Sequence, residues 1–186
     1  MFRAIPQKLF TFPALTGPAV AGALAVLFIT GCAEIENTVY DIRGLPPGKV
    51  SLVVDLTAQE AYLYAGGELA LKAPISTGRE GYNTSPGRYK IIQKDIDHQS
   101  SIYGEYVKDG IVIKADANVH KDPKPRGAVF VGAPMPYFMR IYDGVGLHEG
   151  DLPGYPASHG CIRMPGSKAR RFFDAVELGT PVKVVR

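Results

Sequence analysis

Two histidines bracket one cysteine late in this chain. They sit in Gly146-Leu147-His148-Glu149-Gly150 and, after a short spacer, Ser158-His159-Gly160-Cys161-Ile162-Arg163. A thiol is a weak nucleophile until it loses its proton, and an imidazole within hydrogen-bond reach can take that proton. Glycine beside the cysteine lets a substrate carbonyl approach the main chain and leaves N–H groups free to face an oxyanion. These residue types suit acyl transfer through a thioester, with Cys161 as nucleophile. The residues alone do not separate the two histidines. His159 lies two positions before Cys161, so in an extended segment both side chains lean to one face. That makes His159 an alternative base, an oxyanion donor or a packing residue. The N–H groups of Gly160 and Cys161 are the candidate oxyanion donors. A carbonyl near Ser158 or Gly160, or the Ser158 hydroxyl, is the candidate acceptor that fixes the imidazole tautomer. Arg163 has the fork to neutralise a substrate carboxylate, or to pin the loop to a core carbonyl. Tyr137 and Met139 are candidates for lining the cleft. His98 and His120 lie in polar stretches and read as surface residues. A zinc site from Cys161, His148 and His159 would lack a fourth ligand, so no metal or other cofactor is expected.

The elements that must position these groups read mainly as β. Val50, Leu52, Val54 and Leu56 alternate with Ser51, Val53 and Asp55, the period-two pattern of a half-buried strand. Gly66-Gly67 predicts a hairpin between strands at 62–64 and 69–75. Further strands are expected at 89–93, 110–114, 128–131, 137–142 and 182–185. Frequent Pro and Gly between them point to a sandwich or a partly closed barrel. One helix is expected over 168–178, capped by Ser167 and closed by Gly179, with Ala169, Phe172, Phe173 and Val176 facing the core. It would brace the cysteine loop from behind. The charged, Pro-rich stretch 121–126 reads as a solvated connection, with a lid over the cleft as the alternative.

The ordered motifs resemble one family. His148 followed by Ser158-His159-Gly160-Cys161 and Arg163 is similar to the signature of the L,D-transpeptidase catalytic domain, the YkuD-like fold. Ser76-Thr77-Gly78, Thr84-Ser85-Pro86-Gly87-Arg88-Tyr89 and Pro134-Met135-Pro136-Tyr137-Phe138-Met139-Arg140-Ile141 resemble further motifs of that family. The resemblance runs over roughly residues 49–186. Two departures stand out: only nine residues separate His148 from Ser158, and Ser85 precedes the proline of the TSPG turn. The resemblance implies a YkuD-like β-sandwich and His148 as the general base. It also implies a reaction. Cys161 attacks the diaminopimelate carbonyl of a peptidoglycan tetrapeptide stem, releases D-alanine and passes the acyl group to an amine. Carbapenems are then expected as covalent inhibitors of Cys161. A carboxypeptidase or hydrolase of the same fold, with water as acceptor, is the first alternative; a non-catalytic wall-binding lipoprotein is the second.

The N-terminus reads as a targeting segment. Arg3 and Lys8 form a basic head, residues 9–29 carry no charge, and Ile29-Thr30-Gly31-Cys32 resembles a lipobox. The expected division is a lipoprotein signal peptide at 1–31, a lipidated tether at 32–48 beginning at Cys32, and a catalytic domain at 49–186. The chain has two cysteines; with Cys32 lipidated, Cys161 stays free in an oxidising compartment. The expected location is extracytoplasmic, in a periplasm where there is one, held at a membrane by lipid. A net charge of +3 without a basic–aromatic patch gives no reason to expect nucleic acid.

Overall fold

The computed structural model describes residues 44, 45 and 48–186. The expected leader, the lipidation site Cys32 and nearly all of the tether lie outside the described residues. Among the described residues, ten strands and one helix follow in the order β1 (Val50–Asp55), β2 (Glu60–Ala65), β3 (Glu68–Pro74), β4 (Gly87–Lys90), β5 (Gln93–Lys108), β6 (Ile111–Asn118), β7 (Val129–Tyr142), β8 (Val145–Glu149), β9 (Ile162–Met164), α1 (Gly166–Ala175) and β10 (Pro181–Val185). They form two mixed five-stranded sheets, β3-β2-β1-β10-β4 and β6-β5-β7-β8-β9. The architecture is the expected mainly-β sandwich with one helix.

In the first sheet the period-two pattern is realised directly. Leu52 and Val54 of β1, Leu63 of β2 and Val182 and Val184 of β10 point into the core, and their neighbours face outward. The Gly66-Gly67 hairpin forms with both glycines at positive φ. The core is closed on its other side by α1 and by Met139, Ile141, Leu147, Ile162 and Met164. Helix α1 packs on β7 and β8, behind the strands that carry His148. Its start differs from expectation. Pro165 is the N-cap and no side chain caps the helix, so Ser167 is already inside the first turn. The last turn ends at Ala175, where the extended Val176 donates its N–H to the Phe172 carbonyl.

The second sheet departs more from the sequence pattern. Residues 93–108 form a single 16-residue strand although the segment is largely polar. The two expected strands at 128–131 and 137–142 are one continuous strand, β7. Together with β6 these make a long ribbon whose outer part has its own small cluster of Tyr106, Ala117, Ala128 and Phe130. Polar residues survive here because the ribbon lines a cleft rather than a dry core.

Candidate active site

The short strands β8 and β9 run parallel and set the site. Their register places His148 beside Arg163 and Leu147 beside Ile162, so Cys161 comes alongside Gly146. A side chain at 146 would drive a Cβ to 2.5 Å from the Phe138 ring and 2.6 Å from the Met139 carbonyl. Only glycine lets β8 lie that close to β7 and the Phe138 ring. Gly160, immediately before the cysteine, has φ +111°, a backbone region that side chains other than glycine's avoid.

The cysteine loop is fastened from the first sheet. Ser76 exchanges two main-chain hydrogen bonds of 2.9 Å with Arg163, and the Thr77 carbonyl accepts the N–H groups of Ala157 and Ser158. Buried Thr84 accepts the Gly78 N–H at 3.0 Å and donates to the Gly160 carbonyl at 2.8 Å. The STG and TSPG motifs thus act as a frame for the loop. Ser85, the extra residue of the turn, gives its N–H to the Tyr142 hydroxyl at 2.9 Å and leaves the frame intact.

His148, Cys161, His159 and Arg163 all line one cleft of about 770 Å³, walled on the far side by residues 98–105 of β5. Buried His148 donates from Nδ1 to the carbonyl of Glu149 at 2.6 Å. That bond fixes the tautomer and leaves Nε2 as a bare lone pair. The acceptor is therefore the Glu149 carbonyl, and not the groups near Ser158 or Gly160 expected from the sequence, because β8 turns its own main chain onto the ring. Burial, reinforced by the charges of Arg163 and His98, lowers the pKa of His148 to about 4. Burial also raises the Cys161 thiol above its ordinary value, opposed by the Gly146 N–H and by the charges of Arg163 and Arg140. The thiol donates to the Gly144 carbonyl at 3.6 Å. At neutral pH the pair rests as neutral thiol and neutral imidazole.

His159 is built differently. Its Nε2 lies 2.6 Å from Nη2 of Arg79, and a guanidinium only donates, so Nε2 accepts and its lone pair is occupied. The ring stacks on Tyr103 at 4.0 Å and meets Tyr82 edge-on at 4.8 Å. Burial and Arg79 lower its pKa as well. Ser158 donates its hydroxyl to the Cys161 carbonyl at 2.5 Å and accepts the Gly160 N–H at 3.0 Å. The Gly160 N–H is thereby committed inside the loop and withdrawn from the expected oxyanion role; Ser158 and Gly160 shape the loop's main chain.

Two expected cleft residues are not there. Met139 is fully buried in the core, and Tyr137 packs beside it with its ring 5.9 Å from Phe173. Side chains alternate along β7, so 137, 139 and 141 face the core while 138 and 140 face the other way. On that other face Phe138 is fully buried near His148, and Arg140 lines the cavity. His98 is likewise a cleft residue and not a surface one: it stacks on Phe138 at 4.2 Å and bonds Asp95 at 3.0 Å. His120 is exposed. In the 121–126 stretch, Lys121 reaches back to the Tyr82 hydroxyl at 2.9 Å, and the Asp122 carboxylate accepts the Asn118 N–H and pairs with Lys114. Among the described residues no group of three or more His, Cys, Asp or Glu is gathered as a metal site.

The chain is similar in sequence and fold to known L,D-transpeptidases. The family model of the YkuD L,D-transpeptidase catalytic domain matches residues 49–184. A curated relative, the probable L,D-transpeptidase 3 of Mycobacterium tuberculosis, is 27% identical over 171 residues, 91% of this chain and 54% of its own. The chain thus spans about half the length of that relative. A crystal structure of an Enterococcus faecium L,D-transpeptidase is 27% identical over 75% of this chain and 50% of its own, with a TM-score of 0.52. The fold also matches L,D-transpeptidase 3 of M. tuberculosis in complex with a faropenem-derived adduct. That chain is 23% identical over 74% of this one and 60% of its own, with a TM-score of 0.54.

Proposed function

Because this chain belongs to the YkuD family of L,D-transpeptidase catalytic domains, we propose that it is a peptidoglycan L,D-transpeptidase working through a Cys161 acyl-enzyme. The observation that carries the reading is the free Nε2 of His148, its tautomer held by the Glu149 carbonyl, in the cleft that contains the thiol. A base with a lowered pKa is unprotonated at neutral pH and ready to accept a proton. The raised thiol keeps its proton until attack. The sulfur attacks the diaminopimelate carbonyl of a tetrapeptide stem as its proton passes to Nε2. Nε2 then gives that proton to the departing D-alanine amine, leaving a thioester. An incoming amine reverses the sequence: it attacks the thioester, loses a proton to Nε2, and the sulfur leaves and recovers it. The amine belongs to a second stem, a wall protein or a free D-amino acid. The Cys161 N–H is the remaining main-chain candidate for the oxyanion, and Arg163, at the cleft wall, is positioned for a substrate carboxylate. His159 orders the loop.

The catalytic domain is residues 49–186. A lipoprotein signal peptide at 1–31 and lipid on Cys32 would hold it outside the cytoplasm through the tether 32–48. Carbapenem acylation of Cys161 is expected from the family resemblance, and the faropenem-derived adduct of the structural relative is a β-lactam precedent for it.

The test is intact-protein mass spectrometry with a carbapenem and, separately, with a tetrapeptide stem, beside Cys161→Ala. A covalent adduct on the wild type alone, together with D-alanine release, supports the nucleophile. Release that continues without incorporation of a supplied amine would make the enzyme a carboxypeptidase instead. An unmodified wild-type protein would sink the acyl-enzyme.

A further inference from the structure

We propose that Arg140 is a positioning residue for the nucleophile: it locks the β7–β8 turn whose main chain cradles the Cys161 thiol. The proposal rests on Cys161 being the reacting group. Arg140 sits on the cleft-facing side of β7, and its Nη1 donates to the Asp143 carbonyl at 2.7 Å. Asp143 has φ 40°, a left-handed conformation that a residue with a side chain holds only when its surroundings enforce it. The next carbonyl, that of Gly144, accepts the thiol proton at 3.6 Å. Gly146, two residues on, turns its N–H toward the sulfur. Bracing Asp143 therefore fixes both main-chain groups that meet the thiol.

The guanidinium is itself held. It lies 5.4 Å over the Phe138 ring, the ring on which His98 also stacks. Its Nε is buried with no hydrogen-bond partner. An arginine kept only for fold stability would avoid that cost. What the arrangement gains is a permanent positive charge in the cleft with the sulfur, one that an imidazole with a lowered pKa does not supply at neutral pH. The planar fork braces a carbonyl while its face rests on an aromatic ring, which a lysine ammonium does not reproduce.

The experiment uses the full chain, with iodoacetamide alkylation of Cys161 followed as a function of pH. Wild type is compared with Arg140→Ala, Arg140→Lys and His148→Gln, with Cys161→Ala as the blank and melting temperatures as the fold control. Loss of one nearby charge moves a titration by about one unit or more. Arg140→Ala is expected to alkylate about tenfold more slowly at pH 7, with its midpoint moved upward, and to recover when methylguanidinium is added. A pH profile superimposable on wild type overturns the proposal. Should Arg140→Ala fail to fold, Arg140→Lys decides: a slower rate at an unchanged midpoint supports the brace, and a wild-type profile overturns it. A thiol sensitive to His148→Gln but indifferent to Arg140 sinks the proposal alone. Indifference to both takes down the nucleophile reading with it.

Discussion

The two histidines beside Cys161 line one cleft from different segments, β8 and the cysteine loop, and have opposite fates. On β8, His148 gives Nδ1 to a carbonyl and keeps Nε2 open. On the cysteine loop, His159 has Nε2 occupied by Arg79, its ring stacked on Tyr103 and in an edge contact with Tyr82. Both are pushed toward the neutral form by burial. Protonation state therefore does not separate the proposed base from the proposed buttress. What separates them is the nitrogen left with a lone pair, and that is decided by neighbours far away in sequence.

The sharpest way to break this comparison is to change each ring in turn. His148→Gln is expected to lower kcat for stem-peptide turnover by about 10³-fold or more, the range for losing a positioned general base. His159→Gln should cost no more than about tenfold and act through loop order. Equal losses would dissolve the distinction.

Stability against pH separates the two histidines next. Burial lowers His148 from 6.5 to about 4, so the unfolded chain takes up its proton first as pH falls. Stability is fully present above pH 6.5 and declines as pH drops through the window down to about 4. At 1.36 kcal/mol per unit, the loss is about 3 kcal/mol. Urea melts across that window should show the slope in wild type and lose most of it in His148→Gln.

Thr84→Val probes the frame that serves the cysteine loop alone. It removes a buried hydroxyl bonded to both Gly78 and Gly160, and a destabilisation of about 1–3 kcal/mol is expected in the same melts. The smallest effect belongs to Arg79→Met. Freeing Nε2 of His159 and removing a facing charge should raise that ring's pKa, read from its proton resonance in a pH titration, with turnover changed only a few-fold. An unmoved titration would mean that the guanidinium is not what holds the ring neutral.

The alternating residues of β1, the Gly66-Gly67 hairpin and the buried face of α1 could be read from the sequence because each signal is local. The motifs likewise put His148 and Cys161 together, and both line one cleft. Strand β5 could not be read in this way: a largely polar run of residues such as Asp95, Asp97, His98 and Ser100 satisfies no burial pattern, and its strand character comes from pairing with β7 across long stretches of chain. Tyr137 and Met139 were misplaced by one position of strand parity, and correcting it required knowing which face of β7 meets the helix. The Glu149 carbonyl and Arg79 were invisible for another reason. Backbone acceptors carry no residue signature, and Arg79 meets His159 only after the STG segment has zipped onto the cysteine loop.

The parallel pairing of β1 with β10 puts the first strand of the domain beside its last, with Leu52 opposite Val182 and Val54 opposite Val184. No N-terminal fragment can complete that sheet, so cooperative folding waits for the final residues to arrive. Contacts between such distant parts of the chain also make folding slow. A polypeptide with this wiring stays loosely collapsed until β10 is available, and Cys161 is enclosed only once the last strand has paired with the first.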